Sequence, residues 1–399
     1  MRLEFQLPVR IDRDMADELV KESAYVAKQI SAFRVEDDLE TVTVEVAETA
    51  NPEDISGKVR RYLSAMLRGY PPPATKVYNT YHRTDAGPLV EGVFDELKRR
   101  QWAFEIGVGH VGFAGPALRL YEYIDQYLAE RYQERFGTRT ISFPALITPG
   151  NLARCGYFDS HPNNATWVTH LVEDVDAIEQ FRAANTDIRA PKLPKPEELE
   201  TPAACLNPAA CDPLYYVLEN QTMPSEGVAY SWLGRVFRYE SRNTRDLERL
   251  WEFNVRELVF AGSAEYVQQQ RQKAVQFTGE LAQHLDLDMS LEVATDPFFA
   301  TVVAVKRMWQ LSMETKVEVK VTIGSEPDGR LRRIAAGSIN LHGKFFGERF
   351  SIHAHGGASA DTACVGLGIE RLMLAVFAQH GFDPERWPKP VRTHVFLPE

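Results

Sequence analysis

The sequence predicts an α+β protein built on mostly antiparallel strands flanked by helices. Two observations carry this. The second half alternates apolar and polar residues in several strand-length runs, set between polar turns and stretches of helical spacing. The N-terminal stretch runs strand, helix, strand, helix within a short span, which marks a small α+β unit of its own.

Leu3, Phe5 and Leu7 alternate as in a half-buried strand. Asp12 precedes a helical pattern carrying Met15, Leu19, Val20, Val26 and Ile30. TVTVEV (41–46) is the next strand, and Asp54 opens a second helix with Ile55, Val59, Leu63, Met66 and Leu67. The consecutive prolines of GYPPPATK (69–76) cannot continue a helix. Residues 1–72 are therefore read as the small domain, 73–92 as a linker and 93–399 as the main domain. A helix is predicted over 118–136, from Leu120, Ile124, Leu128 and Tyr132, with Gly137 as its stop. RTISFPALI (139–147) reads as a strand that Pro144 confines to an edge or an interface. APKLPKPEELETP (190–202) reads as a surface loop. GVAYSWLGRVFRYE (227–240) ends in a strand and ERLWEFNVRELVF (248–260) is its returning partner, with the polar SRNTRDL between them. A long helix is expected near 263–284, strands at 316–323 and 348–355, and a last helix over 368–380.

Composition narrows the function. Hydrophobic residues make up 44% and charged residues 25%, which supplies an ordinary core and excludes collagen, low complexity and a disulfide scaffold. The formal charge of −11 is opposite to the bias of proteins that grip long nucleic acids. Cys155, Cys205, Cys211 and Cys364 in so long a chain point to a reducing compartment. The N-terminus lacks an apolar signal region, and no apolar run approaches the ~18 residues of a membrane helix. A soluble cytoplasmic protein with no membrane partner is expected. Lys58, Arg60, Arg61 and Arg68 gather on or beside the second helix of the otherwise acidic small domain. They read either as a solvated face or as a docking patch for an acidic partner.

Three arrangements carry chemistry. Arg238 and Glu240, two apart, project from one face of a strand, where a guanidinium can clamp a phosphate and a carboxylate can accept from an amine. The competing reading is a solvated ion pair. In GLGIER (366–371), Arg371 falls in a helix's first turn, where a cation opposes the dipole unless it reaches an anion or bends to solvent. Cys364 stands just before that turn. Cys205 and Cys211 are too loosely spaced for a standard zinc knuckle, so spacing alone supports a metal only weakly.

Taken together, FRYE (237–240), TRDLERLWEF (244–253) and GLGIER resemble the second and third motifs of class II aminoacyl-tRNA synthetases, nearest the seryl branch. Arg238, Glu240, Arg245, Arg249 and Phe253 fall on the second motif and Arg371 on the third. The 118–136 helix with Pro144 is similar to the first motif, which implies a homodimer. The resemblance covers roughly residues 100–399. NPAACDPLYY (207–216), FNVREL (253–258), DPFF (296–299), SINLHGKFFG (338–347), TACVGLGIERL (362–372) and HGFDPERWP (380–388) resemble a narrower branch. That branch holds the carrier-protein aminoacylating ligases, themselves similar to methanogen-type seryl-tRNA synthetases.

The resemblance implies a class II antiparallel sheet and an ATP-dependent ligase that activates a small amino acid as its adenylate. It implies a Zn²⁺ held by Cys211, Glu257 and Cys364, with Cys205 competing for the first position and one open position for the substrate amine. Arg238 would take the α-phosphate and the substrate carboxylate, Glu240 the adenine amine, and Phe253 the adenine face. Arg371 would hold the γ-phosphate or the ring. Arg245 would reach the outer phosphates, and Arg249 belongs to the same ATP set. Ser338 and Asn340 would line the amino-acid pocket. Mg²⁺ would bridge the phosphates, but RRIAAGSIN (332–340) lacks the glutamate that the seryl pattern places just before its Ser/Asn pair, so its protein ligand is open. The expected acceptor is the phosphopantetheine thiol of an acyl or peptidyl carrier protein. The alternative is tRNA, disfavoured by the acidic small domain and the lack of a long helical arm, and kept open by the extra N-terminal unit. A non-catalytic amino-acid sensor is a third reading, against which the intact Arg238, Glu240 and Arg371 argue.

Overall fold

A computed structural model describes residues 1–68, 70, 76–84, 87–294, 314–326 and 328–396. The prolines at 71–73 and the DPFF stretch (296–299) lie outside the described residues. The N-terminal unit runs β1 (Arg2–Gln6), α1 (Arg13–Glu22), β2 (Ile30–Val35), β3 (Thr41–Val46) and α2 (Pro52–Met66). β3 is central and antiparallel to both neighbours. Phe5, Leu19, Phe33, Val42, Val44, Ile55 and Val59 form a core of its own.

Two expectations in this unit need correction. The first helix does not reach Ile30. Asp12 caps it by accepting from the Met15 amide at 2.8 Å, but it stops at Glu22, and Ile30 opens β2. Ile30 and Phe33 are drawn into the core by pairing with β3, a tertiary gain that outweighs local helical spacing. The second helix starts earlier than Asp54. Asn51 caps it, accepting from the Glu53 amide at 2.9 Å, with Pro52 at the first helical position, where its missing N–H costs nothing.

The chain continues with β4 (Val77–Tyr81), α3 (Val93–Arg99), β5 (Ala103–Gly107), β6 (His110–Phe113), α4 (Gly115–Phe136) and β7 (Arg139–Thr140). An insertion follows: β8 (Leu146–Ile147), α5 (Pro149–Arg154), α6 (Tyr157–Ser160), β9 (Thr166–Val168), α7 (Val175–Ala184) and β10 (Ala204–Leu206). Next come α8 (Asp212–Val217), β11 (Val228–Phe237), β12 (Glu252–Gly262), α9 (Ala264–Leu285) and β13 (Met289–Val293). β14 (Lys316–Ser325), β15 (Leu331–Gly343), α10 (Phe345–Arg349), β16 (Asp361–Gly368), α11 (Ile369–His380) and α12 (Lys389–Val395) complete it.

Eight strands form one sheet in the order β4-β13-β14-β15-β16-β12-β11-β7, antiparallel except for the β7–β11 edge. Because side chains alternate across a sheet, Leu258, Phe260, Val365, Leu367, Val317 and Val319 share one face, and α4, α9 and α11 cover it. The opposite face is left for the site. Part of it is roofed by α8, α10 and the residue after α10: Leu214, Tyr215, Phe346 and Phe350 pack over Trp232 and Val259.

Three more readings change. The expected 73–92 linker contributes β4, which pairs with β13 at the sheet edge. RTISFPALI is not one strand: β7 joins the large sheet and β8 a separate three-stranded one, because Pro144 between them cannot donate to a ladder. Residues 348–355 are not a strand either. α10 ends there, since Gly347 lets the chain fold against the backbone of Ala360, where a Cβ would lie 2.2 Å from the carbonyl oxygen. Among the described residues no helix is long and apolar enough to cross a membrane.

Candidate functional site

Sheet register builds the site. Glu257 on β12 stands opposite Gly366 on β16, Gly366 opposite Ser338 on β15, and Ser338 opposite Glu318 on β14. One step along, Cys364 stands opposite Asn340, and Asn340 opposite Lys316. The period of two puts all these side chains on the uncovered face. Cys211 arrives from outside the sheet. The loop before α8 settles onto β11 at Gly234, where a Cβ would lie 2.9 Å from Ala210 Cβ.

The ligand atoms of Cys211, Glu257 and Cys364 lie within 4.8 Å of one another. Cys364 Sγ lies 3.5 Å from His342 Nε2 and accepts from Asn340 Nδ2 at 3.5 Å. Asn340 Nδ2 also donates to Ser338 Oγ at 2.9 Å. Burial, then the charge of Cys364, raises the Glu257 carboxyl well above the carboxylate range. Cys364 falls well below the usual thiol range because Cys211 donates to its thiolate, and Cys211 rises correspondingly. Asp212, beside Cys211, is pushed up to about 7 by burial and then by the Cys364 thiolate. Among the described residues, Glu257 Oε1 is buried without a hydrogen-bond partner. An orphaned oxygen among two thiols is what a cation would satisfy, and the Cys/Glu/Cys donor set fits Zn²⁺ with an open position. Gly366 leaves room for the Glu257 carboxylate, since a Cβ there would lie 3.0 Å from its Oε2. Cys205 is not with them. It is buried on β10 between Ile147 and Trp167, in the other sheet.

A cluster of arginines lies toward the turn between β11 and β12. β11 ends at Phe237, so Arg238 and Glu240 do not share a strand face. The Arg238 amide makes one more ladder bond, to Trp251 O at 2.9 Å, and the Tyr239 amide then turns aside to Asn164 O. Arg238 Nε donates to Pro208 O at 2.9 Å, and its guanidinium stands 5.5 Å from the Phe253 ring centre. Glu240 Oε2 accepts from Arg249 at 3.0 Å. Arg371 is held through Glu248 O and Ala335 O, both at 2.7 Å. Burial, then Arg249 and Arg238, lowers its pKa to about 10. Guanidinium groups crowded in this way can take up an anion. Arg245 is more exposed, 3.7 Å from Glu248.

Sequence reasoning missed His342, Asp212 and Glu318. His342 continues the i, i+2 alternation of Ser338 and Asn340 and could have been found from it. Glu318 could not, because it belongs to a different strand and meets Ser338 only through register.

A family profile described as "tRNA synthetase class II core domain (G, H, P, S and T)" matches residues 197–380. Two Bradyrhizobium diazoefficiens proteins are similar. Amino acid–[acyl-carrier-protein] ligase 2 is 34% identical over 260 residues, covering 64% of this chain and 74% of that protein. Ligase 1 is 30% identical over 280 residues, covering 68% and 82%. The chain belongs to the class II aminoacyl-tRNA synthetase-like family. The family also holds a type-2 serine–tRNA ligase from Methanopyrus kandleri, 28% identical over 318 residues, covering 76% of this chain. The chain spans only 60% of that ligase's length. A solved M. kandleri SerRS in complex with A. aeolicus tRNASec shares the fold, with a TM-score of 0.70 at 24% identity, covering 99% of this chain and 77% of that one.

Proposed function

We propose that this class II-type protein activates a small amino acid as its adenylate and passes it to the phosphopantetheine thiol of a carrier protein. The carrying observation is that the Cys211–Glu257–Cys364 cluster lies near enough to Arg238 for its charge to act on Glu257 and Asp212, while Phe253 and Arg371 neighbour Arg238 in turn, which supports an amine grip next to an anion clamp. Cys211, Glu257 and Cys364 would hold Zn²⁺, which when bound supplies a Lewis-acid position for a free amine. Ser338 and Asn340 line the floor beside it and set the room for the side chain.

The chemistry asks the protein for alignment and charge neutralisation rather than a covalent intermediate. The substrate carboxylate attacks the α-phosphorus of ATP and pyrophosphate departs. Arg238 lies between the two reacting anions, and Phe253 stacks on adenine. Glu240 Oε1 accepts from the adenine amine, while Arg249 fixes Oε2. Arg371 and Arg245 balance the outer phosphates. The seryl-pattern glutamate is missing from β15. The carboxylate this face offers beside Ser338 is Glu318, 3.1 Å from Lys316, and it would hold Mg²⁺.

The metal reading makes a separate prediction. Gly366→Ala should press on the Glu257 carboxylate and lower zinc retained per protein, read by elemental analysis, at an unchanged melting temperature. Full zinc content would remove Glu257 from the ligand set.

Two relatives named as carrier-protein ligases and the charge of −11 favour the carrier acceptor. Arg60, Arg61 and Arg68 are exposed, and Lys58 is paired with Asp54 at 2.6 Å. Charge reversal at Arg60 and Arg61 should slow transfer to an acidic carrier and spare pyrophosphate exchange, with a salt dependence that vanishes in the variant. Normal transfer would make this face mere solvated surface. The serine–tRNA ligase relative supports tRNA as the second reading. A labelled-acceptor assay with phosphopantetheinylated carriers and bulk tRNA separates them: label on tRNA alone would overturn the carrier.

A further inference from the structure

The segment 239–243, which carries Glu240, leaves the sheet as soon as β11 ends. Ser241 within it takes a φ of 52°, a left-handed conformation that an L-residue keeps only when its surroundings impose it. The surroundings come from the N-terminal unit. The Tyr25 hydroxyl lies 3.0 Å from Tyr239 O and 3.3 Å from Asn164 Oδ1. Arg242 Nη1 donates to Ile30 O at 2.9 Å, and Asn243 Nδ2 donates to Lys21 O at 2.9 Å. The anchors come from the last turn of α1 (Lys21), the connection that follows it (Tyr25) and the first residue of β2 (Ile30), and they grip the turn on both sides of Glu240. A second, looser contact joins the same unit to the β14–β15 hairpin, where Arg330 lies 3.8 Å from Asp14. Burial and then the charge of Glu240 raise the Tyr25 hydroxyl far above its usual range, so it remains a donor at working pH.

We propose that the N-terminal unit is a wall of the nucleotide site: through Tyr25 and the Lys21 and Ile30 carbonyls it holds the 239–243 turn where Glu240 meets the adenine amine. This rests on the adenylation reading above. Tyr25 and Asn243 are then positioning residues that act through Glu240, and the unit serves the first half-reaction as well as any acceptor.

The test separates positioning from simple cohesion. Tyr25→Phe removes the hydroxyl and keeps the ring, and Asn243→Ala removes a second anchor. Each is expected to weaken ATP binding, measured by calorimetry on the full chain, by roughly three- to ten-fold, the range for one lost hydrogen bond. The KM for ATP in pyrophosphate exchange should rise by the same factor, while the amino-acid KM and the melting temperature stay put. Wild-type ATP affinity in both variants overturns the proposal. So does a parallel loss of ATP affinity, amino-acid affinity and melting temperature, which would mean the contacts are only glue. If the wild type binds ATP but exchanges pyrophosphate with no amino acid, the adenylation reading fails while calorimetry still decides the role of Tyr25. If it binds no ATP, both fall.

Discussion

Arg238→Ala should lower amino-acid-dependent pyrophosphate exchange by about 10²–10³-fold, the usual cost of removing one preorganised donor from a developing oxyanion. The side chain is already committed before substrate arrives. Pro208 O orients its Nε, and the Phe253 ring lies 5.5 Å from the guanidinium. Little rotamer freedom is left to lose on binding, so the interaction is available to the transition state. The variant should fold, because Arg238 lies just past a strand end and outside the apolar core. Arg238→Lys should recover little, since an ammonium cannot donate to Pro208 O and bridge two anions in the same plane. Arg371→Ala is expected to act chiefly on ATP affinity. Exchange at the wild-type rate in Arg238→Ala would place the active centre elsewhere on the molecule.

Cys364→Ser should strip most of the zinc from the purified protein and depress adenylate formation together with it. The hydroxyl is a harder, far less acidic donor than the thiol it replaces. His342 and Asn340 would still be present, each 3.5 Å from the sulfur position, so the pocket should keep its shape while its metal affinity falls. Elemental analysis reads the first effect and pyrophosphate exchange the second. Full metal content would take Cys364 out of the ligand set, and intact exchange in a zinc-free variant would separate the metal from activation. Cys205→Ser, on the other sheet, should leave zinc content unchanged.

Local sequence was enough wherever one element contains the whole signal. The apolar spacing of Leu120, Ile124, Leu128 and Tyr132 marks a helix, and the structure buries all four on α4. The alternation in β11, β12 and β14 marks strands for the same reason. The GLGIER run places Arg371 in the first turn of α11, where the observed helix has it. Local sequence misled where tertiary pairing decided. Ile30 has helical spacing but becomes a strand residue because β3 lies alongside. Residues 348–355 alternate like a strand but close a helix, because their apolar side chains pack into a cluster with Tyr215. Pro144 marked a break, but its position could not show that the two sides join different sheets.

The site divides along the same line. Residue types that bind anions, rings and soft metals are present in the chain whatever its fold, and their motif spacing identifies the family. Which cysteine joins Glu257 is decided by convergence: Cys211 reaches it because Gly234 admits the loop before α8, while Cys205 is drawn into another sheet. That Glu318 faces Ser338 follows from the β14–β15 register, and that Tyr25 reaches the turn bearing Glu240 follows from how the N-terminal unit packs. Neither can be read along the chain. Periodicity reports which face a side chain takes within its own element, whereas the partner across a sheet or a domain contact depends on closures spanning many residues, which leave no local pattern.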